Sequence, residues 1–255
     1  MNEILRLENV SLNYHTENGE ITALKNINFS AEKGEFIAII GPSGCGKTSI
    51  LSMISGLLKP SEGKILLDGK EVSSPNDSIG YMLQKDELFP WRTIEKNIFL
   101  PLEIKRIKTK EKKDEVYKLL CKYGLKDFIK SYPKELSGGM RQRTALIRTL
   151  APSPELLLLD EPFSALVYQK RLEVCDDVYS VIKNEKKTAI LVTHDISEAI
   201  AMSDRIIVLS ARPSTVLNVH VLDTNKDLPP IKRREDANFS KWFEILWREL
   251  ANEKK

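Results

Sequence analysis

The sequence predicts an α/β fold with a mostly parallel core sheet, an antiparallel β layer toward the N-terminus and a helical subdomain inserted in the core. Three observations predict it. The runs Phe36–Ile40, Leu156–Leu159 and Thr188–Thr193 are apolar without alternation, as strands buried on both faces are. The opening third instead alternates with a period of two and is broken by turn residues. From about residue 85 to 151 the chain is rich in lysine, glutamate and helix formers, with almost no β signal. We therefore expect one unit of 255 residues, with the core and β layer in about 1–84 and 152–222. The helical subdomain takes about 85–151, and a tail takes about 223–255.

Taken in order, Ile4 to Tyr14 places Leu5 and Leu7, then Val10, Leu12 and Tyr14, at alternating positions of a strand. Asn18-Gly19 is a turn signal, Leu24 to Phe29 a second strand, and Lys33-Gly34 the turn into Phe36–Ile40. Ile50, Leu51, Ile54, Leu57 and Leu58 fall on one face of a helix. Lys64 to Lys70 is a hairpin turning at Asp68-Gly69, and Ser78 to Gln84 a strand ending in an amide. Leu102 to Lys113 is strongly basic, but interleaved glutamates favour a solvated helix face over a binding patch. Ser137 is an N-cap for a helix that runs up to Pro152. Arg205–Leu209 and Thr215–Val221 read as further strands. Phe239, Trp242, Phe243, Leu246, Trp247 and Leu250 form the apolar stripe of an amphipathic helix; its first use is docking on the core, with a membrane or partner contact as the alternative.

Bulk properties narrow the function classes. A net charge of +3 and a pI near 8.6 are too mild to argue for nucleic acid as a partner. No apolar run approaches the roughly 18–20 residues that span a bilayer, and the N-terminus lacks a signal-peptide core, so we expect a cytosolic chain whose membrane role comes through a partner. Cys45, Cys121 and Cys175 have no metal-type spacing and suit a reducing compartment.

The chemistry begins at Gly41-Pro42-Ser43-Gly44-Cys45-Gly46-Lys47-Thr48-Ser49, between an apolar strand and an amphipathic helix. That context makes the string a phosphate loop. The glycines let successive N–H groups turn inward, the helix start and Lys47 add positive charge, and the Thr48 hydroxyl suits Mg²⁺. The stretch predicts a nucleoside triphosphate site. Cys45 inside it is either a small spacer or a thiol whose oxidation blocks nucleotide. Ser137 with Gly138 and Gly139 exposes helix N–H groups and is a second anion-binding device. Asp160 and Glu161 end a buried strand and suit Mg²⁺ support and a general base. His194 alone is more often structural, and Tyr14 is either packing or a face on which a base stacks.

These pieces, in this order and over nearly the whole chain, resemble the ATP-binding-cassette (ABC) ATPases. Gly41 to Thr48 is similar to the Walker A loop and Leu156 to Asp160 to the Walker B strand. Glu161 falls on the family's catalytic carboxylate, Gln84 on its Q-loop glutamine, His194 on its switch histidine and Tyr14 on its adenine-stacking aromatic. Leu136 to Met140 matches the signature LSGGQ except that Met140 replaces glutamine. Phe89-Pro-Trp-Arg-Thr93, Glu161-Pro-Phe-Ser-Ala-Leu166, Ser210-Ala-Arg-Pro213 and Arg233-Arg-Glu-Asp236 look like the nitrate/taurine/sulfonate branch of bacterial importers.

The resemblance implies an ATPase using ATP and Mg²⁺, with Glu161, His194 and Lys47 catalytic and Thr48, Gln84 and Asp160 toward the metal. It implies a homodimer with each ATP between Lys47 of one copy and Ser137, Gly138 and Gly139 of the other. The other implied partners are transmembrane permease subunits and, indirectly, an extracytoplasmic solute-binding protein; the place is the cytoplasmic face of the membrane. Solute specificity would belong to the permease and the binding protein. A soluble ABC ATPase that remodels DNA or ribosomes would usually carry a coiled-coil insertion or two fused cassettes, and this chain shows neither. A weakly hydrolysing regulatory cassette is suggested only by Val167, where the family usually has aspartate in a loop crossing the dimer interface. Two readings of Val167 stay open. Either the lost carboxylate weakens coupling, so that Val167→Asp raises ATPase activity in the assembled complex, or the change is tolerated.

Overall fold

The computed structural model describes residues 2–16, 19–107 and 109–253. Strands β1 (Glu3–Thr16) and β2 (Gly19–Glu32) are long antiparallel partners, with Leu7 opposite Phe29 and Leu12 opposite Leu24. The Asn18-Gly19 turn falls on residue 18, outside the described residues; Gly19 opens β2. β3 (Phe36–Ile40) leads into α1 (Lys47–Ile54). This helix is shorter than its apolar spacing suggests, because Gly56 turns the chain at φ 77° and Leu57 is left exposed. A Cβ on Gly56 would sit 2.3 Å from the Ser74 carbonyl oxygen, so only glycine fits that stop. β4 (Glu62–Leu67) and β5 (Lys70–Glu71) close the hairpin over Asp68 and Gly69, whose φ values of 46° and 74° are those of a type I′ turn. These strands form a four-stranded antiparallel layer ordered β2-β1-β4-β5.

β6 (Ile79–Met82) leaves that layer and pairs in parallel with β7 (Leu156–Asp160). Between them lies the helical segment: α2 (Ile94–Ile104), α3 (Lys110–Lys122) and α4 (Gly138–Leu150). Ile98, Leu102, Val116, Leu120, Leu136 and Ile147 give it a cluster of its own. The basic stretch Leu102–Lys113 is not a single solvated helix face. α2 ends at Ile104, Arg106 takes a positive φ of 55°, and Thr109 caps α3, its hydroxyl accepting from the Lys112 N–H. Leu102 and Ile107 turn into the cluster, and residue 108 lies outside the described residues.

After β7 come α5 (Tyr168–Asn184), β8 (Thr188–Val192), α6 (Ile196–Met202), β9 (Arg205–Leu209), β10 (Val216–Val221), α7 (Pro230–Arg233) and α8 (Ala237–Asn252). The second sheet is ordered β10-β9-β3-β8-β7-β6, parallel except for β10. Period-two alternation divides its side chains between the layers. Leu156 and Leu158 face the side of α1 and the antiparallel layer, while Leu157 and Leu159 face α4 and α5. Among the described residues no helix is long and apolar enough to cross a membrane.

The tail helix α8 uses most of its stripe on the core. Leu246 is buried, and Phe239, Trp242 and Leu250 pack with Ile40, Ile200 and Val208. Trp242 Nε1 donates to Asp223 Oδ1 at 2.6 Å, and His220 Nε2 lies 3.0 Å from Glu249 Oε1. Phe243 and Trp247 stay exposed, at 37% and 58%.

One buried amide organises the loop that enters the helical segment. Asn97, fully buried on α2, donates to the carbonyls of Phe89, Arg92 and Thr93 at 3.0–3.1 Å and accepts from the Phe89 N–H at 2.8 Å. Removing it leaves four part-buried backbone groups without that partner, each worth up to about 1–3 kcal/mol where water does not reach it. Asn97→Ala should therefore lower the unfolding free energy by about 2–4 kcal/mol in urea titration; a loss below about 0.5 kcal/mol would mean that water replaces the amide.

Candidate functional site

The parallel register brings the strand ends to one edge. Met82 pairs beside Leu159, Asp160 beside Val192 and Ile40 beside Val208, so the segments that follow β6, β7, β8, β3 and β9 emerge together. That is the edge at which parallel sheets bind ligands. A cavity of about 800 Å³ opens there, lined by Gly41, Pro42, Ser43, Gly44, Gly46, Lys47, Thr48 and Ser49, and by Glu161 and His194.

The loop is built tightly. Gly46 sits at φ 103°, and a Cβ there would lie 2.8 Å from Leu24 Cδ2. Lys47 is only 7% exposed, and its Nζ donates to the carbonyls of Gly41 and Pro42 at 2.9 Å each. Among the described residues no carboxylate lies within ion-pair distance of it. The ammonium also reaches Cys45 Sγ at 3.9 Å. A buried ammonium held by neutral groups, with no carboxylate in ion-pair contact, is a site that fits an anion. Cys45 differs from its neighbours: its thiol is buried in the core and does not line the cavity, which favours the spacer reading over a reactive thiol.

Behind the loop, Thr48 Oγ1 donates to Asp160 Oδ1 at 3.1 Å and the Tyr81 hydroxyl to Oδ2 at 3.3 Å. Burial pushes the Asp160 carboxyl up, opposed by hydrogen bonds from Thr48 and Tyr81. Burial, then the charge of Asp160, pushes Tyr81 up to about 12, so Tyr81 remains a donor at neutral pH. A hydroxyl oxygen and a carboxylate at a phosphate loop are the hard donors that Mg²⁺ takes.

Glu161 is held at φ 44°, in the left-handed region, while its N–H donates to the Val192 carbonyl at 2.8 Å. Such a residue outside glycine persists where its surroundings over-determine it. Its Oε2 lies 3.0 Å from His194 Nδ1 and 3.5 Å from Gln84 Nε2, and Gln84 also donates to Ser164 Oγ at 3.3 Å. The loops after three parallel strands thus bring Gln84, Glu161 and His194 together. His194 is steadied from behind: Thr193 Oγ1 donates to Glu198, and Asp195 caps α6 and pairs with Arg171 at 3.3 Å.

Two groups of candidates stand apart. The Tyr14 hydroxyl lies 3.0 Å from Ser49 Oγ, beside the loop helix, with its ring part exposed but not on the cavity wall. Ser137 caps α4, accepting from the Met140 N–H, and Gly138 and Gly139 abut Leu166 and Val174; none of the three lines the cavity. A single chain does not bring this helix start to the phosphate loop.

Sequence reasoning missed two features. Arg212, Ile196, Trp247, Leu250 and Ala251 form the cavity's far wall, although the first lies in a string singled out above and Trp247 in the tail stripe. The segment after Gln84 is also clamped to α4. Arg141 Nε meets Asp86 Oδ2 at 3.0 Å, and Arg148 donates to the carbonyls of Asp86 and Glu87 at 2.6 and 2.7 Å.

The family model described as ABC transporter matches residues 24–164. The chain belongs to the ABC transporter family. It is an ATP-binding, ATP-hydrolysing cassette of that family, and its α/β fold is the cassette fold. The cassette is 49% identical over 249 residues to the ABC transporter ATP-binding protein YtlC of Bacillus subtilis, covering 96% of this chain and 95% of that one. It is 41% identical over 233 residues to the aliphatic sulfonates import ATP-binding protein SsuB of Bacillus cereus, covering 91% and 90%. Among solved structures, the cassette MJ0796, dimeric and bound to ADP and Pi, matches with a TM-score of 0.73 at 31% identity, over 87% of this chain and 100% of that one.

The thiols give a check on the loop. Cys45 and Cys175 are buried, burial raises the Cys175 thiol far above its ordinary range, and Cys121 is part exposed. Brief maleimide treatment of the native cassette should label Cys121 first, with Cys45 reacting only after denaturation, as read by peptide mass spectrometry. Rapid labelling of Cys45 would return it to the cavity side.

Proposed function

We propose that this cassette is the ATP-hydrolysing motor of a bacterial importer for a small solute such as nitrate, a sulfonate or taurine. It works as a head-to-tail homodimer on two permease subunits at the cytoplasmic face of the membrane, with an extracytoplasmic solute-binding protein delivering the solute. The observation that carries the reading is the split site. Lys47, Glu161 and His194 line one cavity, with Gln84 beside Glu161 just off its wall, while Ser137, Gly138 and Gly139 start a helix outside it. Two copies facing each other supply both halves. The kinship with sulfonate-import cassettes supports the solute class.

In this reading Lys47 and the loop N–H groups hold the phosphates, and Tyr14 faces the adenine. Thr48 and Asp160, with Gln84, would hold Mg²⁺, which supplies neutralisation of the phosphate oxygens. Glu161 orients water and accepts its proton as the oxygen attacks the γ-phosphorus and the bond to the β-phosphate oxygen breaks. His194, 3.0 Å from Glu161, fixes the direction of that carboxylate and reaches the γ-phosphate. Loss of the γ-phosphate then loosens the dimer. Gln84 passes the change on through the Asp86–Arg141 and Asp86–Arg148 contacts, which make α4 follow the loop. The helical segment meets the permease, with Trp91 exposed on its loop.

Glu161→Gln should retain ATP binding and lower hydrolysis by about 10²–10⁴, the usual worth of a general base. Lys47→Ala should lose binding itself. Normal turnover by Glu161→Gln would remove the role given to Glu161. Co-purification of a multi-span permease from gently solubilised membranes tests the transport assignment, and ribosomal or DNA-repair partners would overturn it.

A further inference from the structure

We propose that Phe243 and Trp247 on α8 form a seat for the Val167–Tyr168 corner of a second copy, so that the tail helix belongs to the interface that closes over the nucleotide. The inference rests on the head-to-tail reading above and deepens it by naming an apolar contact across the dimer.

The seat is a fixed presentation. Phe243 and Trp247 stack with ring centroids 6.2 Å apart and planes at 12°, outward from a helix whose other apolar positions are docked. α8 is tied along its length by Trp242 to Asp223, by Glu249 to His220 and by Glu253, which accepts from the Ala211 N–H at 2.9 Å. Trp247 also stands on the wall of the cavity that the phosphate loop lines, so the seat is continuous with the surface a second copy must cover.

The corner is equally specific. Val167 and Tyr168 are 78% and 61% exposed, side by side, immediately before the body of α5. Val167 occupies the N-cap position of α5 and gives it no side-chain cap, although a hydroxyl or carboxylate there is what a helix start favours. Two apolar side chains exposed together at an uncapped helix start offer a second copy an apolar contact. The corner also lies beside the start of α4, since a Cβ on Gly138 would stand 3.0 Å from Leu166 Cδ2, and Arg171 of α5 holds the corner to its own helix by donating to the Leu166 carbonyl at 3.2 Å. An arrangement that carries Ser137 of one copy to the cavity of the other therefore carries Val167 and Tyr168 to the rim of that cavity. Trp247 is the exposed aromatic waiting there.

The test uses the full chain in a Glu161→Gln background, which holds ATP unhydrolysed, with dimerisation followed by sedimentation. Trp247→Ala should weaken the ATP-dependent dimer by about 10- to 30-fold, the range of an aromatic interface anchor, and Trp247→Phe should restore most of it. Val167→Asp should raise the melting temperature of the single chain, by capping α5, yet weaken the dimer. A merely structural role for Val167 does not produce those opposite signs. A Cys121→Ser chain carrying Gln169→Cys beside the corner and Ala251→Cys beside the seat should give a dimer with a short bis-maleimide only when ATP is present. If Glu161→Gln dimerises with ATP but Trp247→Ala leaves its affinity unchanged and no cross-link forms, the seat is wrong while the sandwich stands. If Glu161→Gln binds ATP and never dimerises, the head-to-tail reading fails, and this inference fails with it.

Discussion

A lysine ammonium taken out of water, with two carbonyl oxygens and a thiol as its hydrogen-bond partners, is the constraint on which this site is built. Lys47 cannot be left there at low cost unless an anion completes its surroundings, and no carboxylate among the described residues does so. Everything that touches the cavity is arranged around that incompleteness. Gly44 and Gly46 curl the loop around it at positive φ, Thr48 and Asp160 stand behind it, and Glu161 lines the same cavity at a backbone angle few residues take. The chain spends stability to keep a charge exposed to one kind of ligand, as proteins do at functional sites.

The parallel sheet makes this arrangement possible. Each strand ends at the same edge, so residues far apart in sequence arrive within one hydrogen bond of each other. Gln84, Glu161 and His194 leave β6, β7 and β8, which are adjacent in the sheet. The contacts of Asp86 with Arg141 and Arg148 then extend the group mechanically. Two residues after Gln84 the chain is bonded to a helix whose own start carries Ser137. The cavity edge and the Ser137 helix start are thus joined by a short polar linkage inside one chain, while in the proposed dimer the nucleotide takes one of them from each copy.

Much of this was legible in the sequence because the signals were local. Strands buried on both faces announce themselves by unbroken apolar runs, and β3, β7 and β8 lie where those runs lie. The Asp68-Gly69 hairpin follows from two residues that tolerate positive φ. Where the reading strayed, a local signal competed with another. Leu57 and Leu58 continue the spacing of α1, but Gly56 ends it, and the charge pattern of Leu102–Lys113 conceals a helix break at Arg106. The direction of the Cys45 thiol was not legible, since alternation in an irregular loop has no period. Nor was the far wall of the cavity, because the proximity of Arg212 and Trp247 to Lys47 is a product of topology and leaves no mark on the residues themselves.

That far wall has a consequence for how the molecule is made. Lys47 is synthesised 200 residues before Trp247, an interval of about 10–40 s at ordinary translation rates. Throughout it the phosphate loop exists without the helix that bounds its cavity and, on the proposal above, without the seat for a second copy. On that proposal, a nascent cassette has no seat for a second copy until Trp247 has followed Lys47 out of the ribosome, so the order of its sequence defers pairing.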